Sequence, residues 1–315
     1  MYFPYLRGRQ YELIALRELL TNNKLGNNVI PIIEPVRLSP TLVSTLEGFK
    51  DKGQKCSLIM NPDVGSFLEE YRDSSKSNLA TRLDRLIDDN ENFYYVSLMS
   101  KDYSLEDNFK SITDIGKQIT VCKKPDDLQG YNENYRGQET AYNLISESGR
   151  LKREVQGNKV KISDNFVKLL RNTDYSDRDD EFFSDDHKYF VTDGYTGFSD
   201  YSIVGAEYNE SGFAPYAVAI HIVYFDSDEN LRIHHFVSDT NQDPTNPAGK
   251  FKEALEKLIG YVNTGRVERT LAINEFEKLY RTGSYPGLGT VKKLSIMHHI
   301  ELVGKYLDRN SGDSE

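Results

Sequence analysis

The chain has no tryptophan, only two cysteines in 315 residues, and no apolar run near the length of a membrane span. Cys56 and Cys122 each sit inside a short apolar run, so they read as core thiols of a reducing compartment rather than as redox or metal groups. No GxSxG, HExxH, CxxC or Walker sequence occurs, which removes several familiar enzyme classes. The opening MYFPYLRGRQ lacks a basic lead followed by an apolar stretch, so a cytoplasmic rather than a secreted protein is expected, with no membrane association. Positive charge is also short. With 39 Lys and Arg against 49 Asp and Glu the net charge is −10, and nonspecific binding to nucleic acid, which depends on neutralising phosphates, is not expected.

What the chain does have is 21 tyrosines, 15 phenylalanines and apolar residues gathered into short runs. Eight of these runs read as strands: 2–6, 28–33, 56–60, 93–98, 118–122, 141–145, 159–163 and 188–192. Between them lie segments of helical spacing. Tyr11, Ile14, Leu19 and Leu20 mark the first. Ser39 and Pro40 open the second as N-cap and first turn, and Leu42, Leu46 and Phe49 form its stripe. The segments 79–88 and 105–116 follow, the latter on Phe109, Ile112 and Ile115 before a glycine stop. The polar, tyrosine-rich stretch 125–140 is either a short helix or a lid-like loop.

Strands this continuously apolar, alternating with helices, point to a parallel sheet, and eight units can close into a TIM-barrel-like (β/α)8 fold. An open doubly wound sheet is the alternative, although no GxGxxG follows an early strand. On the barrel reading, residues 1–205 form the barrel and 206–240 an appended antiparallel β-hairpin built from 214–225 and 231–239. Residues 241–308 form C-terminal helices, with stripes through 246–262 and 291–307, and 309–315 a disordered tail.

The segments YFPYLRGRQYELIALREL, VIPIIEPV, DGYTGFSDYSIVG and GFAPYAVAIHIVYF resemble a bacterial family designated by a locus tag, itself similar to the Beta protein family of tailed bacteriophage and bacteria. The resemblance runs from residue 1 to about residue 260. It implies a barrel-like fold and a gene lying beside a second one, in a setting of phage defence or a related two-component system, and hence a protein partner. No catalytic residue is carried over from it.

A barrel gathers the residues after each strand around one opening: Arg7, Glu34, Asn61, Ser97, Lys123, Ser146 with Glu147, Asp164 and Asp193. The stretch VTDGYTGFSDYSIVG (191–205) puts Asp193 beside a glycine and adds Asp200 and Tyr201. It reads equally as a ligand loop and as a turn with aspartates capping amides. Glu34, on an apolar strand and held extended by Pro35, needs a cation partner, for which Arg7, Arg37 and Lys123 are the candidates. Glu34, Asp193 and Asp200 are therefore the candidate catalytic carboxylates, and Arg7, Arg37, Asn61, Lys123 and Tyr201 the candidate ligand-binding residues. Arg7, Arg9, Arg37 and Lys123 together suit a phosphate or nucleotide.

Under an alternative reading, Glu34, Asp63, Asp164 and Asp193 hold Mg²⁺ for phosphoester hydrolysis, though without any ligand spacing to support it. Barrel phosphodiesterases end a strand in His-Arg-Gly; here Leu6 takes the histidine position and the general acid is missing. His234 and His235 alternate across a strand next to His221. His298 could meet Glu301 on a helix whose flanks form an ordinary core stripe.

Overall fold

The computed structural model describes residues 1–209 and 215–310. Of the expected tail, 311–315 lie outside the described residues, as does the first residue of the run 214–225; Arg309 and Asn310 end the last helix. The chain divides into two compact units. One comprises Met1–Thr21, Asn27–Ser163 and Asp186–Tyr201; the other comprises Asn22–Gly26, Asp164–Asp185 and the chain from Ser202 onward.

The first unit begins with β1 (Tyr5–Leu6), α1 (Gln10–Thr21) and β2 (Ile32–Ile33). Both strands are only two residues long because prolines 4, 31 and 35 flank them and cannot donate to a ladder. Pro4 still accepts, taking the Ile32 N–H at 2.9 Å. In α1 the buried face is Leu13, Leu16, Leu19 and Leu20 with Glu12; Tyr11, expected on that face, is exposed.

The sequence signals for α2 (Pro40–Lys52) hold at both ends. Ser39 accepts the Leu42 N–H at 3.2 Å, and Gly53 closes the helix in the left-handed conformation at φ 62°. After it come β3 (Cys56–Ile59), α3 (Phe67–Arg72), α4 (Ser77–Asp88) and β4 (Phe93–Leu98).

The expected helix over 105–116 does not form; two short 3-10 turns, Leu105–Asp107 and Ile115–Lys117, stand in its place. Ser104 and Asp114 accept backbone N–H groups locally, at 3.3 Å from Glu106 and 2.9 Å from Gly116, in competition with helical bonds. Phe109 meanwhile leaves the stripe to pack on Phe67 and Tyr71, with ring centroids 5.0 and 4.7 Å away.

Beyond this lie β5 (Gln118–Cys122), α5 (Leu128–Asn134), β6 (Tyr142–Ile145), α6 (Gly149–Glu154) and β7 (Lys159–Ser163). The tyrosine-rich stretch is thus a short helix, with Tyr131 and Tyr135 buried. The chain then leaves for β8 (Asp180–Ser184) of the other unit and returns with α7 (Asp186–Tyr189) and β9 (Gly197–Asp200).

Strands β1 to β7 and β9 form one parallel eight-stranded sheet in that order. Tyr2 bridges both Val29 and Phe198, and Phe3 N–H reaches Phe198 O at 2.9 Å, so the last strand meets the first and the sheet closes. Alternation sends one face of each strand inward. Phe3 and Tyr142 meet across the interior at 4.9 Å between ring centroids.

The eighth strand is therefore 197–200, and the expectation of a strand over 188–192 is corrected. That segment is the end of α7 and a turn in which Tyr189 and Val191 are exposed. An apolar run of four residues does not distinguish helix from strand.

In the second unit β10 (Ala219–Phe225) and β11 (Leu231–Val237) form the expected antiparallel hairpin, and β8 pairs with the other edge of β11. Three helices follow: α8 (Pro247–Val262), α9 (Leu271–Thr282) and α10 (Leu288–Asn310). Every residue of α10 from Lys293 to Gly304 is buried, so this helix runs through the core of its unit rather than over its surface. Among the described residues no helix is long and apolar enough to cross a membrane.

Candidate functional site at the barrel opening

The inward face of β1 carries Phe3 and Tyr5 and continues to Arg7; that of β2 ends in Glu34, that of β5 in Lys123 and that of β9 in Tyr201. These four end residues therefore reach the same end of the barrel. Gly8 (φ 61°) lets the chain turn away directly after Arg7, where a Cβ would stand 2.9 Å from the Glu34 carbonyl oxygen.

Glu34 is completely buried and has three donors. Arg7 forms an ion pair with its Oε2, Tyr5 Oη donates to the same oxygen at 2.6 Å, and the Asp63 N–H donates to Oε1 at 3.0 Å. Burial, then the neighbouring Glu34 carboxylate, push the Tyr5 phenol well above its ordinary value, so it stays a donor. The Arg7 guanidinium lies 5.3 Å from the Tyr5 ring centroid and 5.8 Å from that of Tyr201, and the two rings are 4.8 Å apart. Carboxylate, guanidinium and two phenol rings form a packed floor.

Above this floor the chemistry is less complete. The Lys123 ammonium lies 5.1 Å from the Tyr5 ring centroid, on the side chain of a residue that reaches solvent. Its backbone N–H and that of Lys124 are held by Asp127 Oδ2 at 2.7 and 3.0 Å, which fixes where the lysine leaves β5. Its Nζ has no hydrogen bond or ion pair among the described residues. Loss of water lowers its pKa, Arg7 adds to that, and Glu34, Asp63 and Asp127 oppose it; water at the opening screens part of the shift.

Asp63 is the counterpart. Its carboxylate makes no hydrogen bond among the described residues, and its pKa is raised by desolvation and by Glu34 against Lys123, Arg7 and Lys124. The loop holding it is fixed by Gly65 (φ 77°), which lies so close to Val36 that a Cβ would meet the Val36 carbonyl oxygen at 2.2 Å.

The other expected residues divide. Asn61 is at the opening, but both ends of its amide hold the end of β4: Nδ2 donates to Leu98 O at 2.9 Å and Oδ1 accepts the Leu98 N–H at 2.8 Å. Its part is to fix the rim. Arg37 is exposed and makes no ion pair among the described residues; the cation that Glu34 takes is Arg7.

Asp193 is displaced altogether. It lies in the turn before β9, at the end where that strand begins, and its carbonyl oxygen accepts from Lys152 Nζ at 2.5 Å. Asp200 ends β9, but strand alternation turns it to the outer face with Phe198, where Tyr2 Oη donates to it at 2.9 Å. The stretch 191–205 is thus a turn, then a barrel strand, and its one contribution to the opening is Tyr201.

The proposed carboxylate set for a metal does not assemble. Asp164 belongs to the second unit, where it accepts the Ala206 N–H at 3.0 Å, and Asp193 is at the far end of β9. Among the described residues no three His, Cys, Asp or Glu side chains gather so as to hold an ion.

The histidines are all in the second unit, apart from His187 on α7. His221 and His235 face each other across the hairpin with Nδ1 atoms 2.6 Å apart, so one of the two must donate. His234 lies beside Asp180 at 3.3 Å and stacks on Tyr261 at 4.5 Å. His298 does not meet Glu301. Its Nε2 donates to Val223 O at 2.7 Å and its Nδ1 faces the Thr270 hydroxyl at 2.8 Å, while Glu301 accepts the Leu271 N–H at 2.8 Å.

Residues that sequence reading missed here are Tyr5 and Asp127. Strand alternation from Arg7 would have found the first, since Tyr5 shares its face. Compared with protein-family models and with curated proteins, the chain matches none.

Proposed function

We propose that the barrel opening binds a small anion, a phosphate or carboxylate compound, and that the chain acts in the cytoplasm with a protein partner as the ligand-reading component of a two-gene defence system. One observation carries the ligand part: the Lys123 ammonium lies at the opening over the Tyr5 ring with no hydrogen-bond acceptor among the described residues. An ammonium so placed, with Arg7 behind it, gains most from a bound anion.

The partner and the defence setting rest on the segments that resemble the Beta protein family. Leu170, Phe182 and Tyr216 in the second unit are 92%, 55% and 55% exposed, and they supply apolar side chains for a partner to cover. Cys56 and Cys122, both buried and unpaired, suit a reducing compartment; burial pushes the Cys56 thiol up to about 12 and keeps it inert.

The test is co-purification from the native operon with analysis of bound small molecules, together with calorimetry using phosphate, lactate and AMP. A neighbouring gene product and an anion retained by the wild type, with the anion lost in Lys123→Ala, are expected. A chain that is monomeric, carries nothing and binds none of the three anions would overturn the proposal.

A further inference from the structure

The strands of the second unit lie in the order β10, β11, β8, so β8 (Asp180–Ser184) is an edge. The His235 N–H donates to Asp179 O at 2.8 Å, which makes Asp180 and His234 a pair that exchanges no bonds of its own. Alternation then gives the bonds to β11 to Glu181 and turns the backbone N–H and C=O of Asp180 and Phe182 outward. Those outward groups have no partner among the described residues. Soluble proteins keep such an edge short, charged or bulged so that it does not pair, and the register shift opposite Leu231 and Arg232 does end this one at Phe183. Protection of that kind does not account for Phe182, which is 55% exposed within the open stretch.

We propose that β8 is the edge at which a protein partner docks, and that the partner adds an extended basic segment to it as an antiparallel strand. This rests on the reading that the chain works with a protein partner. Charge selects the occupant. From Asp174 to Asp185 the chain has six acidic residues and one arginine. Asp180 and Glu181 are matched by Arg232 at 2.5 Å and Arg178 at 2.8 Å, but the carboxylates of Asp177, Asp179 and Asp185 have no ion pair or hydrogen bond among the described residues. Asp179 and Asp185 flank β8 at its two ends. Lysine or arginine at either end of an added strand meets them, and an apolar residue between lies against Phe182. A second copy of this chain does not fit. Antiparallel self-pairing centred on Phe182 sets Asp179 opposite Asp185 of the copy, like charge against like.

The experiment uses the full chain, labelled with nitrogen-15, and a synthetic peptide of Val-Thr-Val between two pairs of lysines, read by calorimetry and amide hydrogen exchange. Expected is saturable binding that slows exchange at Asp180 and Phe182 about tenfold or more, while Glu181, already bonded to β11, is slow with or without peptide. The same peptide with glutamate for lysine should not bind. Phe182→Pro removes an outward N–H and spares the β11 ladder, so it should weaken the peptide about tenfold; Phe182→Val, which keeps the N–H, should stay within about threefold. If Phe182→Pro does not fold, the exchange pattern of the wild type decides. No binding, binding that leaves those two amides unprotected, or amides already protected in a dimer of the free chain overturns the proposal. An operon partner retained equally by the wild type and by folded Phe182→Pro overturns the edge and leaves the partner reading standing. No operon partner at all overturns both.

Discussion

Buried ionisable side chains occur in both units of this protein, yet they do opposite things. In the second unit Glu301 and His298 are held by their neighbours. Glu301, with no exposure, accepts the Leu271 N–H and pairs with Lys305 at 2.9 Å; His298 is bonded at both ring nitrogens. At the barrel opening the lower layer is engaged in this way, in the Arg7, Glu34 and Tyr5 cluster, whereas above it Lys123 and Asp63 reach solvent and neither side chain has a hydrogen bond or ion pair among the described residues. Density of histidine and charge is therefore a poor guide to a site. The guide is a polar group in a recess whose partners have not been supplied by the fold.

The comparison can be broken at three points. The largest effect is expected from Glu34→Ala, which strands the Arg7 guanidinium in a nearly dry setting. A loss of about 3–5 kcal/mol in urea unfolding is expected for one partner of a buried pair, and a loss under about 1 kcal/mol would mean that the floor is not structural.

Next is acid. Burial lowers His235 and His298 from the ordinary 6.5 to about 4 in the folded chain. The unfolded chain then takes up protons that the folded one refuses. Stability should be complete above pH 6.5 and fall as the pH drops from there to about 4, by up to about 1.4 kcal/mol per pH unit for each histidine. His298→Gln should remove one such contribution from the slope measured in urea titrations between those values. An unchanged slope would show that His298 is not held neutral.

The smallest effect is the most informative. Lys123→Ala should change stability by no more than about 0.5 kcal/mol, since the exposed ammonium has no hydrogen bond or ion pair among the described residues. A loss of several kcal/mol would move Lys123 into the same class as Glu34 and remove the contrast between floor and upper layer.

Much of the site was legible from residue identity and strand position. Arg7, Glu34 and Lys123 were placed by counting one residue past an apolar run, and the structure brings them together. Asp193 failed because the run before it, KYFVT, is apolar without being a strand. The true strand, GFSD, hardly looks like one, since Gly197 and two polar residues fill it. Asp200 turns away for a different reason: side-chain direction is free in a loop, but on a strand alternation dictates it. The turn over 105–116 shows local caps at Ser104 and Asp114 prevailing over three apolar residues at helical spacing.

The sequence by itself determined most of the architecture, because the seven short apolar runs that became strands, with helical segments between most of them, have few ways to be buried other than a parallel sheet, and such patterning acts locally along the chain. Only the tertiary structure decided which charges were left over. Whether Glu34 takes Arg7, Arg37 or Lys123 depends on angstrom-scale distances between strands far apart in sequence, and that choice fixed which ammonium has no ion pair among the described residues.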